Sequence, residues 1–230
     1  MVFNGFQKTT LLDFPGKVAC TVFTHGCNLL CPFCHNALLV NRGEDLPTFD
    51  ETEILAYLQK RKGIIDGICI SGGEPLLHQE LEAFLQKVKA LGVSVKLDTN
   101  GTLPDRLIHL IEAGLVDYVA MDIKNSKKKY ALTAGIASLD MEKIEKSIAY
   151  LIKGSIPYEF RTTVVRELHT LEDIKGISRM IEGAENYYLQ NFVDSGLLIG
   201  ENLSPHSPDT LSLFCDEAKK VLKNVKIRGI

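Results

Sequence analysis

Three cysteines, Cys27, Cys31 and Cys34, stand at C-x3-C-x2-C spacing in the stretch Gly26-Cys27-Asn28-Leu29-Leu30-Cys31-Pro32-Phe33-Cys34-His35-Asn36. Thiolates this close in sequence can converge on one metal centre, but three leave an iron-sulfur cube one protein ligand short. Structural metal sites are usually closed by four protein ligands, whereas a catalytic metal keeps a position open. The stretch therefore points to chemistry at a metal. Ligand chemistry alone also permits a Cys3His zinc site that uses His35.

Other polar groups could serve such a centre. Gly72-Gly73-Glu74-Pro75 combines glycines, which let backbone come close to a ligand, with a carboxylate that pairs with a cation. Asp98, Thr99 and Asp122 offer hard oxygens suited to a hard cation, and Asn100 sits beside them. Lys124 and Arg161 are charges in or beside apolar strands, which is unusual unless they face a polar mouth. Each has a plainer reading: the Gly-Gly-Glu-Pro and Asp-Thr-Asn-Gly stretches as turns, the two cations as surface residues. Cys20, Cys69 and Cys215 lie in apolar runs or on an apolar helical stripe and read as small buried hydrophobes.

These groups need elements to position them. The chain has 230 residues, enough for one domain over 1–230 with a real core. Lys and Arg total 26 against 29 Asp and Glu, a net charge of −3, so bulk charge favours neither nucleic acid nor membrane as partner. Residues 1–14 contain Lys8 and Asp13 and no long apolar run, so no signal or membrane-spanning segment is expected. A cytoplasmic location and reduced cysteines follow as expectations.

The pattern alternates strand and helix six times. Strands are expected over 18–24, 64–71, 93–97, 116–121, 158–165 and 186–193, the last containing Gln190 and Asn191. Helices are expected from Asp50, over 81–91, over 104–113, from about Asp140, over 170–181 and from Ser207-Pro208. Such repetition argues for a parallel sheet. The candidate groups fall at the C-terminal ends of the first four strands, where an α/β barrel would converge them and an open sheet would spread them along an edge. An incomplete (β/α)6 TIM-like barrel, open on one side, is the expected architecture, with residues 1–17 as a leader packing on it.

The cysteine triad, Gly-Gly-Glu-Pro and Asp-Thr-Asn-Gly, each after its strand, resemble the radical S-adenosylmethionine (SAM) superfamily. Asp122-Ile123-Lys124 and the leader Leu12-Asp13-Phe14-Pro15-Gly16-Lys17 look most like activating enzymes of glycyl radical enzymes, above all the group that activates anaerobic ribonucleoside-triphosphate reductase. The resemblance implies that Cys27, Cys31 and Cys34 bind three irons of a 4Fe-4S cluster whose open iron takes the methionine part of SAM. Gly72, Gly73, Glu74 and Pro75 would hold the SAM ammonium, and Asp98, Thr99, Asn100 and Asp122 would line the cofactor site, with a monovalent cation nearby. Lys124 and Arg161 would touch SAM or substrate, and His35 would stand beside the cluster. The implied reaction is reductive SAM cleavage to methionine and a 5′-deoxyadenosyl radical, which takes the α-hydrogen of a glycine in a partner protein. Since no second cysteine group stands out, the electron would come from a flavodoxin or ferredoxin. The rivals are activation of pyruvate formate-lyase, a radical reaction on a small molecule, and a zinc-bound interaction module.

Overall fold

The computed structural model describes residues 1–40 and 46–229, and these fall into two compact units. The first comprises Met1–Asn28, Leu38–Thr99 and Leu103–Ala120; the second comprises Leu29–Ala37, Asn100–Thr102 and Met121–Ile230.

The first unit runs through β1 (Val2–Phe3), β2 (Gly5–Thr10), β3 (Ala19–Thr24), most of α1 (Ala37–Val40), β4 (Phe49–Asp50), α2 (Glu51–Lys60), β5 (Gly67–Gly72), α3 (Leu81–Ala90), β6 (Ser94–Thr99), α4 (Pro104–Glu112) and the first residues of β7 (Tyr118–Asp122). Its strand order is β7-β6-β5-β3-β2, with parallel registers from β3 to β5 and from β5 to β6. β2 pairs antiparallel with β3, and β1 with β4. Helix α2 starts where expected because the Asp50 carboxylate accepts from the Thr52 amide at 2.8 Å. It buries Ile54 and Leu58, while α3 buries Leu81, Phe84, Leu85 and Val88. Successive strand residues face opposite ways. Thus Ile68, Ile70, Val95 and Leu97 form one set, and Cys69, Ser71, Lys96 and Asp98 the other.

The second unit takes up the end of β7 and continues through α5 (Tyr130–Thr133), α6 (Met141–Ile152), β8 (Tyr158–Val164), α7 (Leu171–Met180), β9 (Tyr187–Asn191), α8 (Pro208–Ala218) and β10 (Val225–Arg228). Its strand order is β10-β9-β8-β7, with β8, β9 and β10 in parallel register. Asp140 caps α6, Ser207 caps α8, and Thr170 with Asp173 forms a reciprocal capping box on α7.

The α/β class and the mostly parallel strands of each unit agree with an incomplete TIM-like barrel. Four details differ from the sequence reading. β5 begins at Gly67, because Ile64 lies in an exposed turn. β6 continues through Asp98 and Thr99, which are strand residues and not part of its exit turn. The polar stretch Gly5–Thr10 is a strand, and Val225–Arg228 adds a parallel strand after the six expected. β10 is fastened by Arg228, whose guanidinium grips Glu159 through two bonds of 2.9 Å and lies 3.5 Å over the Tyr188 ring.

Candidate active site at the strand ends

In the first unit β3 ends at Thr24 and the chain turns through His25 and Gly26 into Cys27. Gly26 has φ +82°, a left-handed turn that suits glycine, and its amide donates to the Leu39 carbonyl at 2.7 Å. The next strand end packs directly onto this turn. The Gly73 amide donates to the Thr24 carbonyl at 2.9 Å, and the Glu74 amide to the Gly26 carbonyl at 2.8 Å. A Cβ on Gly72 would lie 2.3 Å from Thr24 backbone, and one on Gly73 would lie 1.9 Å from the Gly26 carbonyl oxygen. The two glycines are therefore required by the backbone that leads into Cys27, a constraint independent of any ligand. His78 adds a further hold, its Nε2 donating to the His25 carbonyl at 2.8 Å while Arg106 donates to the His78 carbonyl at 2.7 Å.

Glu74 is fully buried. Its Oε1 accepts from the Leu76 amide at 3.1 Å, capping the single 3-10 turn Pro75–Leu77, and from the Thr99 hydroxyl at 2.9 Å. A buried carboxylate is chemically prepared for a cation. Asp98, one residue before Thr99, is engaged by the Lys96 ammonium, by the Ser71 hydroxyl at 3.2 Å and by the Cys69 thiol at 3.6 Å.

The rest of the cysteine stretch belongs to the second unit. Cys31 and Cys34 are brought together by a turn in which the Cys34 amide donates to the Cys31 carbonyl at 3.0 Å. The Leu30 amide donates to Ala134, and the Pro32 carbonyl accepts from Gly200. Phe33 meets the His169 ring and His35 the Phe192 ring, so His35 packs on the end of β9. Burial pushes both thiols above the ordinary range, and the nearby Lys124 ammonium works against this, favouring thiolate. Among the described residues no group of three His, Cys, Asp or Glu side chains is gathered for a metal ion.

Asp122, Lys124 and Arg161 form one ion group. Lys124 Nζ is 3.1 Å from Oδ2 and Arg161 Nε 2.9 Å from Oδ1. Burial acts to raise the Asp122 carboxyl, but the charges of Arg161 and Lys124 prevail and hold it at about 2. Burial likewise acts to lower Lys124, and the Asp122 charge overcomes it, so this lysine stays firmly protonated. The Asn100 side chain accepts from the Thr102 amide at 3.0 Å and hydroxyl at 2.6 Å, which makes it a turn former in this structure. The oxygens expected to face a monovalent cation thus already have donors of the chain's own: Lys96 on Asp98, and Lys124 with Arg161 on Asp122.

Sequence reasoning missed three residues. Lys96 is 2% exposed in the middle of a strand and sits two residues before Asp98, a spacing that puts both on one face. His169, also buried, bonds the Lys124 carbonyl through Nε2 at 2.8 Å and accepts from the Val165 amide at 3.1 Å, and it backs the cysteine loop through Phe33. His78 steadies the turn before Cys27. Only Lys96 carried a readable signal, its in-phase position with Asp98.

The profile of the Radical SAM superfamily matches residues 21–181. The chain belongs to the radical SAM superfamily. Radical SAM proteins use a 4Fe-4S cluster and SAM, and this chain is an enzyme of that kind. It is 32% identical, over 99% of its length and 95% of the relative's, to a Methanocaldococcus jannaschii protein that bears the provisional name of a glycyl-radical enzyme activating enzyme. It is 28% identical to the 7-carboxy-7-deazaguanine synthase of Thermoplasma acidophilum over 60% of this radical SAM chain and 63% of that one. Among solved structures, Streptococcus suis SuiB bound to S-adenosylmethionine shares the fold, with a TM-score of 0.69 and 16% identity over 90% of the chain; the chain spans 49% of SuiB. No helix among the described residues is long and apolar enough to cross a membrane.

The donor set fits the family's cofactors. By residue type, three soft thiols suit iron. Glu74 is the buried carboxylate that an ammonium group would seek.

Proposed function

We propose that this radical SAM enzyme activates a glycyl radical enzyme, anaerobic ribonucleoside-triphosphate reductase, by removing the α-hydrogen of one glycine in that partner. The observation that carries this is the similarity, over nearly the whole of both chains, to a relative named for such activation. Asp122-Ile123-Lys124 and the leader Leu12–Lys17 favour the reductase activators within that group. The small-molecule reading rests on a likeness that covers 60% of this chain and 63% of the relative.

In this proposal Cys27, Cys31 and Cys34 hold the cluster, and bound cluster and SAM together supply one-electron cleavage chemistry. The chain's own residues bind and orient. Glu74, fixed by Leu76 and Thr99, pairs with the ammonium of the methionine part, while Gly72, Gly73 and Pro75 shape the turn around it. Lys124 and Arg161, locked against Asp122, present fixed positive charge toward SAM or the substrate peptide. His35 packs beside the cluster-bearing loop. No group needs to act as base or nucleophile, so the protein's contribution is positioning and exclusion of water. The electron comes from an external flavodoxin or ferredoxin.

The test mixes anaerobically reconstituted, reduced enzyme and SAM with a candidate reductase or with pyruvate formate-lyase, then looks for a glycyl doublet by electron paramagnetic resonance. A doublet on the reductase supports the proposal. A doublet only on the lyase reassigns the partner, and no doublet alongside turnover of a small substrate rejects activation altogether.

A further inference from the structure

Asp98 stands one residue before the end of β6, within a polar row that crosses the first unit's strands. The register places Thr21 opposite Cys69 and Cys69 opposite Lys96, and the alternation of strand residues puts Ser71 and Asp98 on the same face one step further on. Lys96 extends along β6 to Asp98, and its Nζ also lies 3.7 Å from the Cys69 sulfur. Ser71 and Cys69 complete the shell around the Asp98 carboxylate.

A carboxylate and a hydroxyl at a half-buried strand end are the ligands that a hard monovalent cation takes. Here that position holds an ammonium. Lys96 is 2% exposed, and a lysine so buried persists only when its charge is answered, as Asp98 answers it. A metal ion on Asp98 would bring a second positive charge against this ammonium inside a low-dielectric interior, where like charges repel most strongly. The second unit independently repeats the arrangement, since Asp122 is matched by Lys124 and Arg161. In neither unit is the carboxylate left for an external ion.

We infer that Lys96 is a built-in cation: its ammonium fills the place beside Asp98 that a monovalent metal ion would otherwise take, so the enzyme binds SAM without requiring such an ion. Lys96 is then a positioning residue, fixing Asp98 and the strand end that carries Thr99 and, through it, Glu74. The SAM part rests on the function proposed above; the cation part does not.

The experiment compares reconstituted wild type with Lys96→Met in buffers whose cation is tetramethylammonium, sodium, potassium or ammonium. Three quantities are read: melting temperature, SAM affinity, and thallium(I) binding by nuclear magnetic resonance. Wild type is expected to be indifferent to the cation in the first two and to show no saturable thallium site. Lys96→Met is expected to melt roughly 10 °C lower in tetramethylammonium, as for a broken buried pair in a chain of this size. It should recover part of that loss with potassium or ammonium and gain a saturable thallium site, which Asp98→Asn in the same background removes. Saturable thallium binding by wild type, or wild-type SAM affinity that rises with potassium, overturns the inference, and both are read without any variant that must fold. A folded Lys96→Met that ignores every cation also overturns it, leaving Lys96 a structural charge. Absence of 5′-deoxyadenosine in all samples would count against the proposed function alone, since the thallium and melting results stand without it.

Discussion

Replacing Gly73 with alanine tests whether the Gly-Gly turn exists to hold the entry to the cysteine loop. The added methyl would lie 1.9 Å from the Gly26 carbonyl oxygen, and even the shortest separation a Cβ tolerates, 3.0 Å, requires the two to part by a further 1.1 Å. Neither side yields easily, because Gly26 is tied to Leu39, Gly73 to Thr24, and the Gly26 carbonyl itself to the Glu74 amide. Losing that last bond orphans a buried N–H at about 1–3 kcal/mol, and overpacking adds a similar amount. Together these predict a melting loss of roughly 10 °C. Cys27 and Glu74 shift with the backbone, and a displacement near 1 Å is worth on the order of 100-fold in rate. The control is Gly92→Ala, a glycine just after α3 with φ +79° and nothing within 4 Å of the new methyl. It should cost only about 1 kcal/mol from the left-handed backbone and leave the site intact. The assay is iron per chain after anaerobic reconstitution, with 5′-deoxyadenosine formed per minute. Gly73→Ala that keeps wild-type iron, rate and melting temperature would refute the reasoning, as would equal damage from Gly92→Ala.

Thr99→Val removes the hydroxyl that holds Glu74 while leaving the Leu76 amide in place, so it should destabilise the fold by about 1–2 kcal/mol and weaken SAM binding, read by urea titration and by calorimetry. Asp122 is held at about 2 in the fold against about 3.9 when unfolded, so its contribution is complete above pH ~4 and fades as pH falls toward ~2. Allowing for its partial exposure the effect is up to about 2 kcal/mol, and Asp122→Asn should flatten the acid limb of stability against pH. His169 has its protonation disfavoured by burial, with the Lys124 and Val165 carbonyls opposing, so stability should be full above pH ~6.5 and decline below it. His169→Gln should remove that decline; an unchanged slope would show that another group carries it.

The parts of the fold legible in the sequence were those whose signals are local. Asp50, Asp140, Thr170 and Ser207 cap the helices they were expected to start, and the apolar stripes of α2, α3 and α7 face inward through Ile54 and Leu58, Phe84 and Val88, Ile174 and Ile177. The strands at the margins were not legible. Gly5–Thr10 is largely polar and gains strand character only by pairing with β3, while Val225–Arg228 is four residues long and depends on β9 and on the Arg228–Glu159 grip. The site divides in the same way. Cysteine spacing and strand-end motifs are visible in one dimension, but the Lys96–Asp98–Cys69 shell requires the register of β5 against β6. The close approach of Gly72 to Thr24 and of Gly73 to Gly26, between residues nearly fifty positions apart, is likewise invisible in one dimension.

The central claim is that hydrogen moves from a glycine of a partner protein to the adenosyl group of SAM. The most direct measurement supplies the partner reductase with glycine deuterated at the α-carbon, adds reduced enzyme and SAM, and analyses the nucleoside by mass spectrometry. The account predicts one deuterium in 5′-deoxyadenosine, in step with the glycyl radical counted by electron paramagnetic resonance. Nucleoside that carries only protium while the radical accumulates, or that forms at the same rate without the partner, would contradict it.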